Sequence, residues 1–259
     1  MFVKAGGHLI HAVSFGNGEG KTPFVAHGGW TGSWELWEQP LEVLSQSRRC
    51  IAIDHLGSGE SPIPKGTVIT LDMLVENLRQ VLDQLEIQEC ILAGESSGSK
   101  VVLQFALKYP NRVKGLVLVD GFGFAFPKEA IQMTIDQLEQ DYHGYIDAFV
   151  DLCLPNGEAH IKRWGKNILL RASKEDAIEL LKINATVDLT PQLKNIHVPT
   201  LIVHGQNDAL VPVVTAEQIA TEIPGAELVV IPDAGHVPTI SHPIATTIEI
   251  KRFLSTISE

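Results

Sequence analysis

The feature that most constrains the fold is an alternation of short apolar runs with helical patterns along most of the chain. The apolar runs each end at a Gly, Asp, Ser or His: PFVAHG, CIAIDHLG, CILAGES, VKGLVLVDG, TLIVHGQND and AELVVIPDAGH. Such runs are typical of strands that are buried on both faces. Because strands that alternate with helices build βαβ units, we expect an α/β fold with a mostly parallel sheet and helices on both faces.

Two helices and one unusual strand can be placed between these runs. Residues 70–86 carry apolar side chains at helical spacing behind Thr70, a candidate N-cap, and residues 98–109 have a second helical pattern. The opening segment HLIHAVSFGNG alternates apolar and polar residues, as a half-exposed strand does. We therefore expect an antiparallel edge on the otherwise parallel sheet.

One long segment, residues 121–196, has helical patterns and no strand pattern. Its first apolar face is formed by Ile131, Ile135, Leu138, Tyr142 and Tyr145, and EAHIKRWGKNILLR and SKEDAIELLKIN follow. The flanking stretches FGFAFP and LTPQLKNIHVP contain the Gly and Pro residues typical of hinges. We predict a core of residues 1–120 and 197–259, with residues 121–196 as a helical cap over the sheet edge where α/β proteins bind ligands.

The amino-acid composition limits the kinds of molecule that this protein is expected to bind. The net charge is -11, which disfavours nucleic acid and anionic membranes. No apolar stretch approaches the roughly 18 to 20 residues of a spanning helix, and MFVKAGGHLI lacks the pattern of a signal peptide. The three cysteines have no metal-ligand spacing. We expect a cytoplasmic monomer or homodimer that acts on a small-molecule substrate and needs no cofactor or metal.

A candidate nucleophile lies in the sequence GESSG, where Gly94, Ser96 and Gly98 match G-x-S-x-G between a predicted strand and a predicted helix. The motif needs a turn sharp enough to raise one side chain above the sheet, and glycines at both flanking positions allow it. The helix that follows directs its N-terminal amides at the hydroxyl. Ser97 falls outside the frame, so we expect it to contribute only its backbone N–H.

A serine nucleophile requires a base, and the base requires an acid that holds its tautomer. His236 lies in PDAGHVP after the last predicted strand, and Asp208 lies in HGQNDALVP after the strand before it. The chain order Ser96, Asp208, His236 is the order of nucleophile, acid and base that accompanies the motif. Asp120, at the end of the strand before the helical segment, is the rival acid.

Five segments in order, HGGWTGSW, DHLGSGES, GESSG, HGQNDALVP and DAGHVP, resemble the α/β-hydrolase family, and the resemblance covers nearly the full chain. It implies the α/β-hydrolase fold, with Ser96 as nucleophile, His236 as base and Asp208 as acid. It also implies an oxyanion hole made by the amides of Ser97 and Gly29. Because this loop is one residue longer than usual, Trp30 is the alternative to Gly29. Serine at the nucleophile position argues against the dehalogenase and epoxide-hydrolase branches, which carry Asp there.

We therefore expect a serine hydrolase that cleaves a small, mostly apolar carboxylic ester, lactone or thioester. The same three residues could serve a carbon-carbon bond hydrolase or a haloperoxidase-like perhydrolase, and the sequence does not separate these reactions. A hydrolase-fold ligand receptor is the non-enzymatic alternative. Among the aromatic residues, Trp30, Phe122 and Trp164 are the candidate substrate contacts.

Overall fold

A computed structural model describes residues 1–18 and 21–258 and contains one eight-stranded sheet in the spatial order β1-β2-β4-β3-β5-β6-β7-β8. The strands are β1 (Phe2–Ala5), β2 (His8–Phe15), β3 (Phe24–His27), β4 (Cys50–Asp54), β5 (Cys90–Glu95), β6 (Val113–Val119), β7 (Thr200–Gly205) and β8 (Glu227–Ile231). Strands β3 to β8 pair in parallel, whereas β1 pairs with β2 and β2 pairs with β4 in antiparallel register.

Ten α-helices connect or flank these strands in the described part of the chain. They are α1 (Glu38–Leu44), α2 (Leu71–Gln84), α3 (Gly98–Lys108), α4 (Lys128–Gln140), α5 (Tyr142–Cys153), α6 (Ala159–Leu169), α7 (Lys174–Thr186), α8 (Val213–Glu222), α9 (Pro238–Ser241) and α10 (Pro243–Leu254). Short 3-10 helices cover Trp34–Trp37, Pro110–Arg112 and Thr190–Asn195. None of the helices in residues 1–18 and 21–258 is long and apolar enough to span a bilayer.

The predicted fold class is confirmed by this sheet. Every apolar run identified in the sequence contains a strand, and the strands from β3 to β7 are buried along almost their whole length. Thr70 caps α2, since its side chain accepts a hydrogen bond from the Met73 N–H at 3.2 Å. The antiparallel part of the sheet has two strands rather than one, because Gly6 and Gly7 adopt positive φ and turn β1 back onto β2.

The segment between β6 and β7 contains helices α4 to α7 and a 3-10 helix, and residues 120–199, all of them described, hold no strand. The apolar face expected from Ile131 to Tyr145 is divided between two helices. The break occurs at Asp141, whose side chain accepts a hydrogen bond from the Gly144 N–H at 2.9 Å and caps α5. This local cap competes successfully with continuation of α4.

The carboxyl ends of the parallel strands determine where the polar loops meet. Ser96 follows β5, Asp120 follows β6, and the loops after β7 and β8 carry Asp208 and His236. Because β5 to β8 are consecutive parallel neighbours, these four residues come to one edge of the sheet. That edge is therefore where a site can be assembled from residues far apart in sequence.

Candidate active site

A strained turn after β5 presents Ser96. Its φ is 51°, a left-handed value that non-glycine residues rarely adopt. The two flanking glycines are required by close contacts: a Cβ at Gly94 would lie 2.7 Å from Val102 Cγ2, and a Cβ at Gly98 would lie 2.4 Å from Gly28 O. The turn thus packs tightly between β5 and α3 and holds the Ser96 side chain above the sheet.

Ser96 is the first member of a chain of hydrogen bonds. Its Oγ lies 2.8 Å from His236 Nε2, and His236 Nδ1 lies 2.7 Å from Asp208 Oδ2. His236 is 3% exposed, and its backbone N–H donates to Cys153 O at 2.9 Å, which ties its loop to the end of α5. The structure therefore brings together the three residues that the sequence order singled out.

The surroundings of Asp208 determine the tautomer of His236. Asp208 Oδ1 accepts the N–H groups of Leu210 and Val211 at 2.8 and 2.9 Å, which leaves Oδ2 for His236. Burial raises the pKa of Asp208, but the hydrogen bond and charge of His236 outweigh it, so the net pKa lies below its ordinary value. A charged Asp208 keeps the proton on Nδ1, and Nε2 is then free to accept the Ser96 proton.

Asp120, the rival acid, makes a different contact. Its Oδ1 accepts the Gly205 N–H at 2.8 Å, and no hydrogen bond joins it to His236 in the described chain. Burial, with the charge of Asp208 added, raises the pKa of Asp120 well above its ordinary value. Asp120 therefore supports the start of the β7 loop rather than the His236 ring.

Asp120, His204 and Asp208 form a buried cluster whose ligand-type atoms lie within 4.8 Å of one another, which is a composition that can hold a metal ion. Asp208 Oδ2 is bonded to His236 and His204 Nε2 lies 2.7 Å from Val211 O, whereas Asp120 Oδ2 and His204 Nδ1 have no hydrogen-bond partner among the described residues. Because Asp208 Oδ2 is engaged by His236, we interpret the cluster as support behind the Asp208 loop.

The loop after β3 carries the two residues predicted to supply an oxyanion amide. Gly29 packs against the nucleophile, since a Cβ there would lie 2.7 Å from Ser96 Cβ and 3.4 Å from Ser96 Oγ. The Trp30 backbone N–H instead donates a hydrogen bond to the Oγ of Ser97, the residue that follows Ser96, with an N···O distance of 2.6 Å. Gly29 is therefore the residue of this loop that lies against Ser96, whereas the Trp30 N–H is engaged by the Ser97 hydroxyl. The oxyanion role of the Gly29 amide stays a prediction, with Trp30 as the alternative donor.

Two stacked histidines brace this loop. His55 Nε2 lies 2.7 Å from Trp30 O, and the His55 ring stacks on the His27 ring with centroids 4.6 Å apart. His27 Nδ1 lies 2.8 Å from Gly28 O. Burial lowers the pKa of His27 to about 4 and that of His55 well below its ordinary value. Both rings are thus neutral near pH 7, and they hold Trp30 at its left-handed φ of 30°.

A cavity of about 280 Å³ opens above Ser96, Ser97 and His236. Its walls are largely apolar and carry the aromatic residues Trp30, Phe122, Phe126, Tyr145 and Phe149. Among the fifteen described residues that line it, none is a Lys, Arg, Asp or Glu. The cavity can therefore hold a mostly apolar group next to the Ser96 hydroxyl.

Two of the three aromatic residues predicted as substrate contacts, Trp30 and Phe122, line this cavity, but Trp164 does not. Trp164 is half-buried and packs against the core from the flank of α6. The inward face of α6 is formed by Gly165, Ile168 and Leu169. No residue of α6 is among the described residues that line this cavity, so a contact of Trp164 with the substrate stays a prediction.

Glu95 is the functional candidate that the sequence analysis missed. It is the last residue of β5 and 3% exposed, and burial raises its pKa to about 7, although nearby His236 and the Gly29 N–H act in the opposite direction. A charged residue inside an otherwise apolar strand was the available signal. Tyr145 and Phe149 were also missed, since helical spacing alone did not indicate which face of α5 meets the cavity.

Comparison with known proteins bears on the fold. A family model described as the alpha/beta hydrolase fold matches residues 22–161 and 137–243. The chain is 29% identical over 248 residues to the pimeloyl-[acyl-carrier protein] methyl ester esterase of Nitrosomonas europaea, covering 90% of this chain and 95% of the relative. It is 29% identical over 243 residues to a 2-hydroxymuconate semialdehyde hydrolase of Pseudomonas sp., covering 87% and 84%.

Among solved structures, an esterase from Exiguobacterium antarcticum superimposes with a TM-score of 0.92. The two chains share 23% sequence identity, and the match covers 98% of this chain and 99% of that one. At this identity the likeness speaks for the fold, and the chemistry has to be argued from the residues themselves.

Proposed function

The chain belongs to the α/β-hydrolase family, and from that premise we propose that it is a serine hydrolase that forms an acyl-enzyme on Ser96. The observation that carries the proposal is the continuous hydrogen-bond chain from Asp208 through His236 to Ser96, with distances of 2.7 and 2.8 Å. A serine hydroxyl becomes a competent nucleophile when a neutral imidazole accepts its proton. The lowered pKa of Asp208 supports that arrangement.

In the first half of the reaction, Ser96 Oγ attacks the substrate carbonyl carbon while His236 Nε2 takes the hydroxyl proton. In this proposal the resulting oxyanion is stabilised by the backbone N–H of Ser97 at the start of α3 and by that of Gly29, with the Trp30 N–H as the alternative donor. Collapse of the intermediate breaks the bond to the leaving group, which receives the proton from His236. The second half repeats these steps with water as the nucleophile and regenerates Ser96.

The shape and polarity of the large cavity support a small, mostly apolar carboxylic ester, lactone or thioester as the substrate. The volume of about 280 Å³ lies near the lower end of the range of about 300 to 1,000 Å³ for small-molecule sites. The relative from Nitrosomonas europaea is named for a methyl ester esterase activity, which is the same reaction class. An acyl chain is a good match for the aromatic walls.

Carbon-carbon bond hydrolysis is the second candidate, because the Pseudomonas relative is a 2-hydroxymuconate semialdehyde hydrolase. A substrate of that type carries a carboxylate, whereas no Lys or Arg is found among the described residues that line the cavity. An uncharged ester is thus favoured over a carboxylated dienone. Perhydrolysis and a purely receptor role are the remaining alternatives.

The proposal is tested with a series of p-nitrophenyl esters of increasing acyl length. We expect multiple turnovers, a mass increase equal to one acyl group on the Ser96 peptide after rapid quenching, and no turnover in Ser96→Ala. A receptor would release at most one equivalent of nitrophenol. Turnover of a meta-cleavage dienone at a higher kcat/KM than every ester would instead favour carbon-carbon hydrolysis.

A further inference from the structure

A second, smaller cavity of about 50 Å³ meets the hydrogen-bond chain at Ser96 and His236. Trp30 and Phe149 line both this cavity and the large one, so they form the boundary between the two. Most of the other residues around the small cavity are apolar or glycine, among them Leu36 and residues of α5 and α6. We call this space the Glu95 chamber, because Glu95 is the one carboxylate among its described lining residues.

Glu95 has an unsatisfied oxygen in this chamber. The residue is 3% exposed, and no described protein group hydrogen-bonds to its Oε2. The charge of His236 and the Gly29 backbone amide lower the pKa of this carboxyl, against the larger effect of burial. A buried carboxylate oxygen without a partner is destabilising, and such groups in native proteins call for a functional reason. A molecule bound in the Glu95 chamber could supply the missing hydrogen-bond partner.

The chamber has the size and the polar groups that a water molecule needs. A cavity of at least about 10 to 15 Å³ holds one water, which requires two to four polar partners. Glu95, Ser96 and His236 supply them, whereas the Trp30 indole N–H is already bonded to Ala177 O at 2.9 Å. A water bound there lies between the carboxylate on one side and the reacting groups on the other.

We propose that Glu95 is a positioning residue for the hydrolytic water that releases the acyl group from Ser96. The inference rests on the acyl-enzyme proposed above. A water molecule carries two protons, and His236 Nε2 removes only one of them as the water oxygen bonds to the acyl carbon. The second proton stays on the water oxygen, donates a hydrogen bond to Glu95 Oε2, and leaves on the carboxylic acid product. The bond from the acyl carbon to Ser96 Oγ then breaks, and His236 returns its proton to Oγ, so Glu95 neither gains nor loses a proton.

The charges that face Glu95 favour this role. His236, from the loop after β8, lowers the pKa of Glu95, whereas Asp208, from the loop after β7, raises it. The thiol of Cys153 approaches from α5, and burial raises the pKa of that thiol well above its ordinary value, so it stays neutral. The imidazolium that forms on His236 during deacylation therefore stabilises the ionised, accepting form of Glu95 at the moment when the water reacts.

The test uses Glu95→Gln and competition between water and methanol for the same acyl-enzyme. Gln has nearly the shape of Glu but replaces one carboxylate oxygen with an amide NH2 group, so the variant carries a hydrogen-bond donor where Glu95 offers only acceptors. Methanol has a single hydroxyl proton, which goes to His236, and it does not need Glu95. We expect the ratio of methyl ester to free acid formed from a p-nitrophenyl ester to rise about tenfold, as for loss of one hydrogen bond to a charged group.

Matched variants make the result specific. Val150→Ala enlarges the same chamber without removing a polar group, and its product ratio should stay within about twofold of the wild type. Glu95→Asp keeps the charge on a shorter side chain and should give an intermediate ratio. Because the ratio counts only products of active enzyme, poor folding of Glu95→Gln does not change it.

An unchanged product ratio in Glu95→Gln would overturn the role of Glu95, as would an equal change in Val150→Ala. Failure of the proposed function has a different signature, namely no acyl group on Ser96 of the wild-type protein and no methyl ester product. The two hypotheses can therefore fail separately in the same experiment.

Discussion

The backbone N–H of Trp30 donates a hydrogen bond to Ser97 Oγ at 2.6 Å, which links the loop after β3 to the residue that follows the candidate nucleophile. The contact spans 67 positions of sequence and connects the two segments that carry the candidate oxyanion amides. It gives the second serine of GESSG a defined place in the site.

The two adjacent serines should respond differently to substitution. Ser96→Ala is expected to abolish ester turnover, whereas Ser97→Ala should keep kcat/KM within about threefold, because the Ser97 amide remains and only one hydroxyl hydrogen bond is removed. Steady-state kinetics on p-nitrophenyl butyrate checks both values. Labelling of Ser97 rather than Ser96 by a serine-directed phosphonate would contradict the assignment.

The acid should be Asp208 rather than Asp120. Asp208→Asn is expected to lower kcat by roughly three to four orders of magnitude with little change in KM, since an amide at this position stabilises the wrong His236 tautomer. Asp120→Asn is the matched control and should be mild, because its oxygen can still accept the Gly205 N–H. The reverse ranking would transfer the acid role to the end of β6.

The aromatic walls of the large cavity should select among acyl chains. Phe126 lines the large cavity but not the Glu95 chamber, so Phe126→Ala changes the acyl pocket alone. Removal of the ring leaves apolar substrate surface uncovered, at a cost of about 25 cal/mol for each Å². We therefore expect kcat/KM for long acyl esters to fall about tenfold and kcat/KM for the acetate ester to fall much less. Trp164→Ala is the control, because Trp164 lines neither cavity. An equal change in that variant would refute the assignment of the cavity.

The stability of the protein should depend on pH through Glu95. Burial raises the pKa of Glu95 from 4.5 to about 7. Between pH 4.5 and pH 7 the folded state therefore binds more protons than the unfolded state, so the free energy of unfolding falls as the pH rises. At about 1.4 kcal/mol for each pKa unit, the contribution amounts to roughly 3 kcal/mol. Urea unfolding at pH 5 and pH 8 measures it.

Glu95→Gln removes this proton linkage, so the difference in unfolding free energy between the variant and the wild type should move in favour of the variant from pH 5 to pH 8. Comparing the two pH values cancels any constant cost of the substitution. Equal differences at both pH values would show that Glu95 titrates at its ordinary pKa.

Patterns that depend on neighbouring residues were readable from the sequence. Buried strands are continuous apolar runs, and helices repeat their apolar residues every three to four positions, so the α/β architecture follows from local spacing. The glycines around Ser96 likewise indicate a tight turn from the sequence alone. Even here a competing local signal was overlooked, since Asp141 ends the helix that the apolar pattern would have continued.

The remaining features depend on contacts between segments that are distant in sequence. The surroundings of the two candidate amides of the loop after β3 depend on distant residues, since Gly29 packs against Ser96 and the Trp30 N–H donates to Ser97 Oγ. The exclusion of Trp164 from both cavities depends on the rotation of α6 against α5 and the sheet.

The unsatisfied oxygen of Glu95 lies where β5 ends at the Glu95 chamber, which is lined by distant parts of the chain. The sequence by itself thus determined the elements and the candidate nucleophile, base and acid, because periodicity, turn chemistry and chain order are local or sequential. The tertiary structure alone decided which amides, walls and buried charges face the reacting atoms, because those depend on packing across the whole sheet edge.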